Sequence, residues 1–381
     1  MLFAQFIFWI SVLALAYIYF GYPILIWALS SDSAPKATSC KLSGTVSVVV
    51  VAHNEGARIG QRIENLLALD YPSSLLDIVI ASDGSTDDTV NQASRYKDRG
   101  VRVVEFGKNR GKPAVLNDLI PSLKSEIVVF ADARQTVPPE SLQTLLANFS
   151  NPKVGVVSGE LILESDPNGH VGEGVGFYWR YEKFIRHCES SVDSMIGATG
   201  AYYAIRRRLY QNIPEETILD DVLIPMQIAR QGYRVVQEGG AVAYDKIFNT
   251  SNAEFSRKVR TIAGNFQLFS LAPWLLNPAA NRLWFQTVSH KLSRLLSPLF
   301  LVTTLVSSYW LLDLALYQLF FAAQLLFYSA AAFGYLLRSD ATKGPLLNVP
   351  YAFCLLNWAT VVGSLRYFSG RQHVTWKKAE G

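Results

Sequence analysis

The chain has 381 residues, half of them hydrophobic and 17% charged, where an average soluble protein has about 25% charged. The shortfall is local: residues 1–31 and 344–365 contain no Asp, Glu, Lys or Arg, and residues 295–337 contain only Asp313. This excludes a plain cytosolic enzyme, a disordered chain and a secreted disulfide scaffold, and a net charge of +4 is too mild to imply nucleic acid.

In chain order, the first apolar run, residues 3–29, exceeds the roughly 20 residues that a membrane-spanning helix needs. Tyr17, Tyr19 and Tyr22 lie near its end, where interface aromatics belong. It has no basic leader and outruns the roughly 7–15-residue core of a signal peptide. Residues 1–31 are therefore expected to form an uncleaved N-terminal transmembrane helix.

From residue 45 to 270 the pattern becomes that of a soluble α/β domain. Val/Ile-rich runs at 46–52, 77–82, 101–106 and 126–131 predict strands buried on both faces. Stretches with helical spacing, such as 57–69 and 86–96, separate them. The expectation is a mostly parallel central sheet flanked by helices. Such sheets bind ligands beyond the carboxyl ends of their strands, and those positions are polar here: His53, Asn54 and Glu55; Asp83 through Asp87; Asp132 and Arg134. No GxGxxG follows the first strand and no GxxxxGK[ST] occurs, against a dinucleotide fold or a P-loop. Any single Asp after a strand is adequately explained as a helix cap. The convergence of several suggests a site for a polar ligand.

Residues 271–294 mix Trp274, Leu275, Leu276, Trp284 and Phe285 with polar residues, the pattern of an amphipathic interface helix. Residues 295–337 are long enough for two transmembrane helices with a turn at Asp313. The apolar stretch 346–368 spans, re-enters or lies on the interface, and 369–381 form a tail. Lys36, Lys41, Arg58, Lys291, Arg294, Arg338 and Lys343 all flank spans on the side of the α/β domain, which the positive-inside rule makes cytoplasmic. Cys40, Cys188 and Cys354 are scattered without CxxC or Cys/His spacing, so no disulfide framework or zinc site is expected.

The segments VSVVVVAHNE, SDGSTDDT, NRGKPAVLN, VVFADA, VSGELIL, GATGAYYAIRR, LDDVLIP and RKVRTIAGNFQ, in this order over about residues 46–290, resemble the inverting glycosyltransferases of family 2. These have the GT-A nucleotide-sugar fold, and the likeness is greatest to the membrane branch of cellulose, hyaluronan and poly-N-acetylglucosamine synthases. The resemblance implies that Asp83 contacts the nucleotide base, with Asn54 and Glu55 beside it under the nucleoside. Lys112 and Asn117 would lie on the helix covering the donor, Lys112 offering its charge to the diphosphate. Asp132 matches the first acid of the family's DxD element and would help hold magnesium or manganese; Arg134 replaces the second acid, pairing with phosphate or facing solvent. Asp221 would be the general base, with Asp220 supporting it.

The same resemblance puts the acceptor sugar on a floor of Gly197, Ala198, Thr199 and Gly200, near Glu160. Arg257 and Arg260 match the two basic positions of the processive enzymes' (Q/R)xxRW element, but Thr261 stands where its Trp would be. Val374, Thr375, Trp376 and Lys377 are similar to the synthases' gating loop. The function implied is transfer from a nucleotide-sugar, a UDP-sugar by the resemblance, to an acceptor hydroxyl in cell-surface polysaccharide synthesis, at a bacterial inner membrane with the catalytic domain cytoplasmic. Two alternatives stand beside it: single addition to a lipid acceptor, which the missing Trp favours, and a silent nucleotide-sugar-binding scaffold.

Overall fold

The computed structural model describes residues 1–30, 44–164, 173–246, 251–337 and 344–372. The chain begins with one long helix, α1 (Leu2–Leu29), wound wider over Tyr17–Gly21. Seven strands then build one sheet: β1 (Val46–Ala52), β2 (Leu76–Asp83), β3 (Val101–Phe106), β4 (Ile127–Ala131), β5 (Val154–Glu164), β6 (Tyr202–Arg206) and β7 (Arg234–Lys246). Their order is β3-β2-β1-β4-β6-β5-β7. The β3, β2, β1 and β4 strands run parallel, as does β7 beside β5, and β6 is antiparallel to both its neighbours.

Helices α2 (Ile59–Leu67), α3 (Thr89–Ser94), α4 (Lys112–Leu119), α5 (Ser141–Ala147), α6 (Glu173–Val192) and α7 (Asp220–Arg230) are interleaved with the strands. Alternate residues of a strand point to opposite faces, and the core divides accordingly. Val46, Val48 and Val50 of β1 pack with Ile59, Ile63 and Leu66 of α2 and Leu142 of α5. Val49, with Val128 and Phe130 of β4, packs with Val115 and Leu116 of α4 and Leu223 of α7. This arrangement brings the start of α4, the end of β4 and the start of α7 together at the carboxyl edge of the sheet.

Four further helices follow: α8 (Ser251–Leu271), α9 (Trp284–Trp310, wound wider over Thr287–Leu292), α10 (Ala315–Leu336) and α11 (Pro345–Phe368). Helices α1, α9, α10 and α11 are each long and apolar enough to cross a membrane. They also carry most of the exposed large apolar side chains, such as Phe3, Trp27, Trp310, Leu326 and Leu346.

The single amphipathic helix expected over 271–294 is not formed. A short 3-10 turn, Pro273–Leu276, gives way to a loop, and α9 starts only at Trp284. Asn281 holds the loop, donating from Nδ2 to Leu275 O at 2.8 Å, and Trp284 Nε1 donates to Leu276 O at 2.9 Å. Leu275 and Leu283 are buried in the same core as α4 and α7. Leu275 and Leu283 thus serve the domain core, while Leu276 and Phe285 remain exposed.

Candidate active site

Helix α7 opens with two adjacent acids, Asp220 and Asp221, and its N-cap, Leu219, offers no side-chain cap. Both carboxylates therefore lie free of the capping duty that commonly explains Asp at a helix start, while the helix dipole favours their charge. Lys112, the first residue of α4, sets its Nζ 3.3 Å from Asp132 Oδ1 and 3.5 Å from Asp220 Oδ2. Burial alone would lower the Lys112 pKa, but Asp220, Asp132 and Asp221 together hold it above the ordinary lysine value. For Asp221, burial and then the charge of Asp220 push the pKa up to about 6, against the pull of Lys112, Lys291 and Arg186. A carboxylate so placed can accept a proton near neutral pH.

The backbone around Asp221 is built to receive it. Ala198 N donates to Asp221 O at 2.7 Å, and Thr199 N donates to Ser158 Oγ at 2.9 Å. A Cβ on Gly200 would fall 2.6 Å from Asp221 Oδ2, so only glycine admits the carboxylate there. Gly197 turns the chain with φ of +80°. Residues 197–200 are thus first a cradle for the acid, with Ala198, Thr199 and Gly200 also lining the cleft beside it.

Arg134 does not face solvent. Its Nε lies 3.1 Å from Oδ2 of Asp245, a buried acid near the end of β7 that also accepts from Gln135 Nε2 at 3.0 Å. Asp245 is invisible to a reading of the strand-end motifs because it lies far along the chain.

Other expected site residues hold the frame. Asp83 accepts from Arg110 N and Gly111 N, each at 2.8 Å, one bond to each carboxylate oxygen, and so fixes the turn that launches α4 and Lys112. Asn54, in left-handed backbone at φ 56°, accepts from Thr86 N at 2.8 Å. Glu55 donates its N–H to Thr89 Oγ1 at 2.8 Å and pairs with Arg58 at 3.2 Å. Asn117 donates to Ile213 O at 2.7 Å and accepts from Tyr210 Oη and Ile213 N, which commits its amide to the fold. Glu160 pairs with Lys183 at 2.6 Å in a small side pocket next to Thr199.

The cleft is a cavity of ≈1300 Å³ lined by Lys112, Asp132, Arg134, Asp220, Asp221, Arg257 and Arg260 and continuing between the apolar helices. Burial lowers the Arg260 pKa, and Asp220 partly restores it. Thr261 Oγ1 bonds back to Arg257 O at 3.0 Å, leaving no stacking platform at that position. Beneath the cleft lies a network absent from the sequence reading. His290 is bonded to Glu189 at 2.8 Å and Glu182 at 3.1 Å, and Glu182 also holds Arg294 at 2.5 Å and Arg186 at 3.3 Å. Burial would raise the Glu182 pKa, but His290, Arg294 and Arg186 hold it well below the usual carboxylate range. The available signal was His290 and Arg294 one turn apart on an apolar helix, a pairing that demands buried counter-charge. Val374, Thr375, Trp376 and Lys377 lie outside the described residues.

A sheet of this order, with charged side chains gathered at the carboxyl edge of β4 and the start of α7, defines the GT-A class of nucleotide-sugar folds. Residues 47–213 match the family model Glycosyl transferase family 2. Mannosyltransferase PcManGT from Pyrobaculum calidifontis, solved in complex with GDP-Man and Mn2+, has the same fold at a TM-score of 0.71 and 22% identity, covering 96% of this chain and 99% of that one. The poly-beta-1,6-N-acetyl-D-glucosamine synthase of Staphylococcus aureus (strain COL) is 22% identical over 244 residues, 63% of this chain and 58% of that protein. The synthase of the same name from Staphylococcus epidermidis is 20% identical over 234 residues, 60% of this chain and 56% of its own. The chain thus matches less than two thirds of the length of these relatives.

Proposed function

We propose that this chain is a membrane-integrated, inverting glycosyltransferase that moves a sugar from a nucleotide-sugar to an acceptor hydroxyl in the making of a cell-surface glycan. The observation that carries this reading is one lysine held among three carboxylates at the mouth of a cleft, one of them, Asp221, with its pKa raised to about 6. Asp221 takes the proton of the attacking hydroxyl as its oxygen closes on the anomeric carbon. Asp220 keeps the Asp221 pKa up and anchors Lys112. Lys112, Arg257 and Arg260 meet the charge of the departing diphosphate, as preformed cations in a partly dry cleft do efficiently. The names of the staphylococcal relatives favour a polysaccharide product.

The fold family implies a divalent cation. Among the described residues no three His, Cys, Asp or Glu cluster around one point, but magnesium and manganese commonly bind through one or two carboxylates plus substrate phosphates. Asp132 fits that requirement, because a third of its side chain is open to the cleft, whereas Arg134 is engaged by Asp245. Bound at Asp132, the ion would supply charge neutralisation to the leaving diphosphate.

The basic residues flanking the spans support a cytoplasmic catalytic domain. Helix α11 meets Gly334 and Phe327 of α10, Ser297 of α9, Tyr19 of α1 and Ile262 of α8. Tyr367 also bonds Ser270 of α8 at 2.6 Å.

The test is nucleoside-diphosphate release by the detergent-purified protein from a panel of UDP- and GDP-sugars, with manganese and with EDTA, beside Asp221→Asn. Release from one donor class that the substitution abolishes is expected. Equal release by both proteins would overturn the assignment of the base.

A further inference from the structure

The buried network beneath the cleft has no part in the chemistry described so far. Glu182 and Glu189 lie about two turns apart on α6 and face His290 of α9, whose Nε2 is 3.1 Å from Glu182 and Nδ1 2.8 Å from Glu189. Glu189, fully buried, also accepts from Tyr22 Oη of α1 at 2.5 Å. The wide turns of α1 and α9 meet at this level. The hydroxyls of Tyr17 and Ser289 are bonded at 2.7 Å, and Tyr181 of α6 donates to Tyr19 O at 2.9 Å. Such turns are rare and occur mostly at functional sites. Taking an ion out of water costs several kcal/mol, and well-packed apolar side chains can join helices as firmly. Joining α1, α6 and α9 therefore does not by itself account for these acids.

Arg186 is the arm of the network that reaches the base. Its Nε lies 3.3 Å from Glu182 Oε1, and its Nη1 is 3.4 Å from Thr199 Oγ1, in the cradle that seats Asp221. Arg186, Thr199 and Asp221 all line the cleft, yet among the described residues Arg186 pairs with Glu182 and forms no ion pair with Asp221. Asp221 faces Asp220, Lys112 of α4, Tyr203 of β6, Lys291 of α9 and Arg186 of α6, while Arg260 of α8 faces Asp220. Lys112 is held by Asp132 and Asp220, and Glu182 and Glu189 share Lys291 with Asp221. Glu182 itself faces Arg186, His290 and Arg294 and the phenols of Tyr178 and Tyr181. Without Glu182, Arg186 at the cleft wall would have Asp221 to pair with. A carboxylate so paired is a weaker base, because the cation favours its charged form.

We propose that Glu182 is a positioning residue of the transferase, anchored by His290 and Arg294 of α9, that holds Arg186 against Thr199 and so keeps its guanidinium from pairing with Asp221. The proposal rests on the glycosyltransferase reading and names a further residue on which its base depends. Glu182 acts through Arg186 alone.

The experiment follows nucleoside-diphosphate release across pH by the full chain in nanodiscs at saturating donor. It compares the wild type with Glu182→Gln, Arg186→Gln and the double variant, with nucleotide binding and thermal unfolding read on each. In Glu182→Gln, kcat is expected to fall about tenfold with donor KM unchanged. The acid limb is expected to move down by about one pH unit as Arg186 pairs with Asp221. Glu182→Asp is expected to recover part of both. Arg186→Gln is expected to move the limb upward, since a cation favouring the ionised base is gone. In the Arg186→Gln background, Glu182→Gln is expected to leave the limb nearly unmoved. A limb that Glu182→Gln leaves in place, or shifts equally in both backgrounds, would overturn the proposal while the transferase reading stands. Should Glu182→Gln fail to bind nucleotide, Glu182→Asp and Arg186→Gln carry the test, and an unmoved limb in Arg186→Gln overturns the proposal. No release by the wild type from any donor would remove the transferase reading and the proposal with it.

Discussion

At the ends of β1 and β2, Asn54 and Asp83 are bound up in the backbone of neighbouring loops; Asp83 alone takes two N–H groups of the turn before α4. Across the sheet, at the end of β4 and the starts of α4 and α7, Asp132, Asp220 and Asp221 share a single lysine, and Asp220 Oδ2 is buried without a hydrogen-bond partner. The residue types are alike and both groups sit at the same sheet edge. What separates them is saturation. A carboxylate whose oxygens already accept backbone bonds keeps the scaffold in shape, whereas under-paired carboxylates stay available to a ligand, and here the charge of Asp220 helps to raise the pKa of Asp221.

The largest effect that would sharpen this contrast is at Asp221. Asp221→Asn should lower turnover by about 10²–10⁴-fold, as loss of a general base does. It should also stabilise the fold. The folded pKa of about 6 lies above the ordinary 3.8, so stability falls as pH rises through that window. Removing the ionisable group should recover on the order of 1–3 kcal/mol at neutral pH, read from thermal unfolding.

Next is Gly200→Ala, whose Cβ would stand 2.6 Å from the Asp221 carboxylate. Displacing the base should cost about 10²-fold in kcat with nucleotide binding retained. A fully active variant would break the cradle account. Lys112→Met leaves the three acids without their shared cation. It should raise donor KM by about tenfold and move the acid limb of the pH profile upward.

The frame should respond differently. Asp83→Ala removes two charge-assisted bonds and should destabilise by about 2–4 kcal/mol, yet leave the acid limb of whatever activity survives where it was. Asn117→Ala should do the same on a smaller scale, about 1–2 kcal/mol. A shifted limb in either variant would erase the distinction between frame and site.

Much of the frame was legible in the sequence because buried parallel strands must be continuous Val/Ile runs. The strand expected at 46–52 is observed as Val46–Ala52, and that at 101–106 as Val101–Phe106. The reversed strand β6 was not legible, since antiparallel pairing between β4 and β5 depends on contacts distant in sequence. The acids themselves could be named from their motifs, but their partners could not. Arg134, which the resemblance left pairing with phosphate or facing solvent, lines the cleft and has Asp245 brought against it by β7, a partner that its motif does not show. Asn117 sits in a motif that points to the donor, and only the fold of 210–213 reveals its amide as a brace. The segment 271–294 misled because Leu275 and Leu283 have the spacing of a lipid-facing stripe while Asn281 folds them inward.

The central claim, that Asp221 is a carboxylate base poised by its neighbours, is tested most directly by the pH dependence of nucleoside-diphosphate release at saturating donor. The wild type should lose activity about tenfold per pH unit below an apparent pKa near 6, and the residual activity of Asp221→Asn should be flat through that range. An unchanged acid limb in Asp221→Asn would assign the titration to another group and contradict the account.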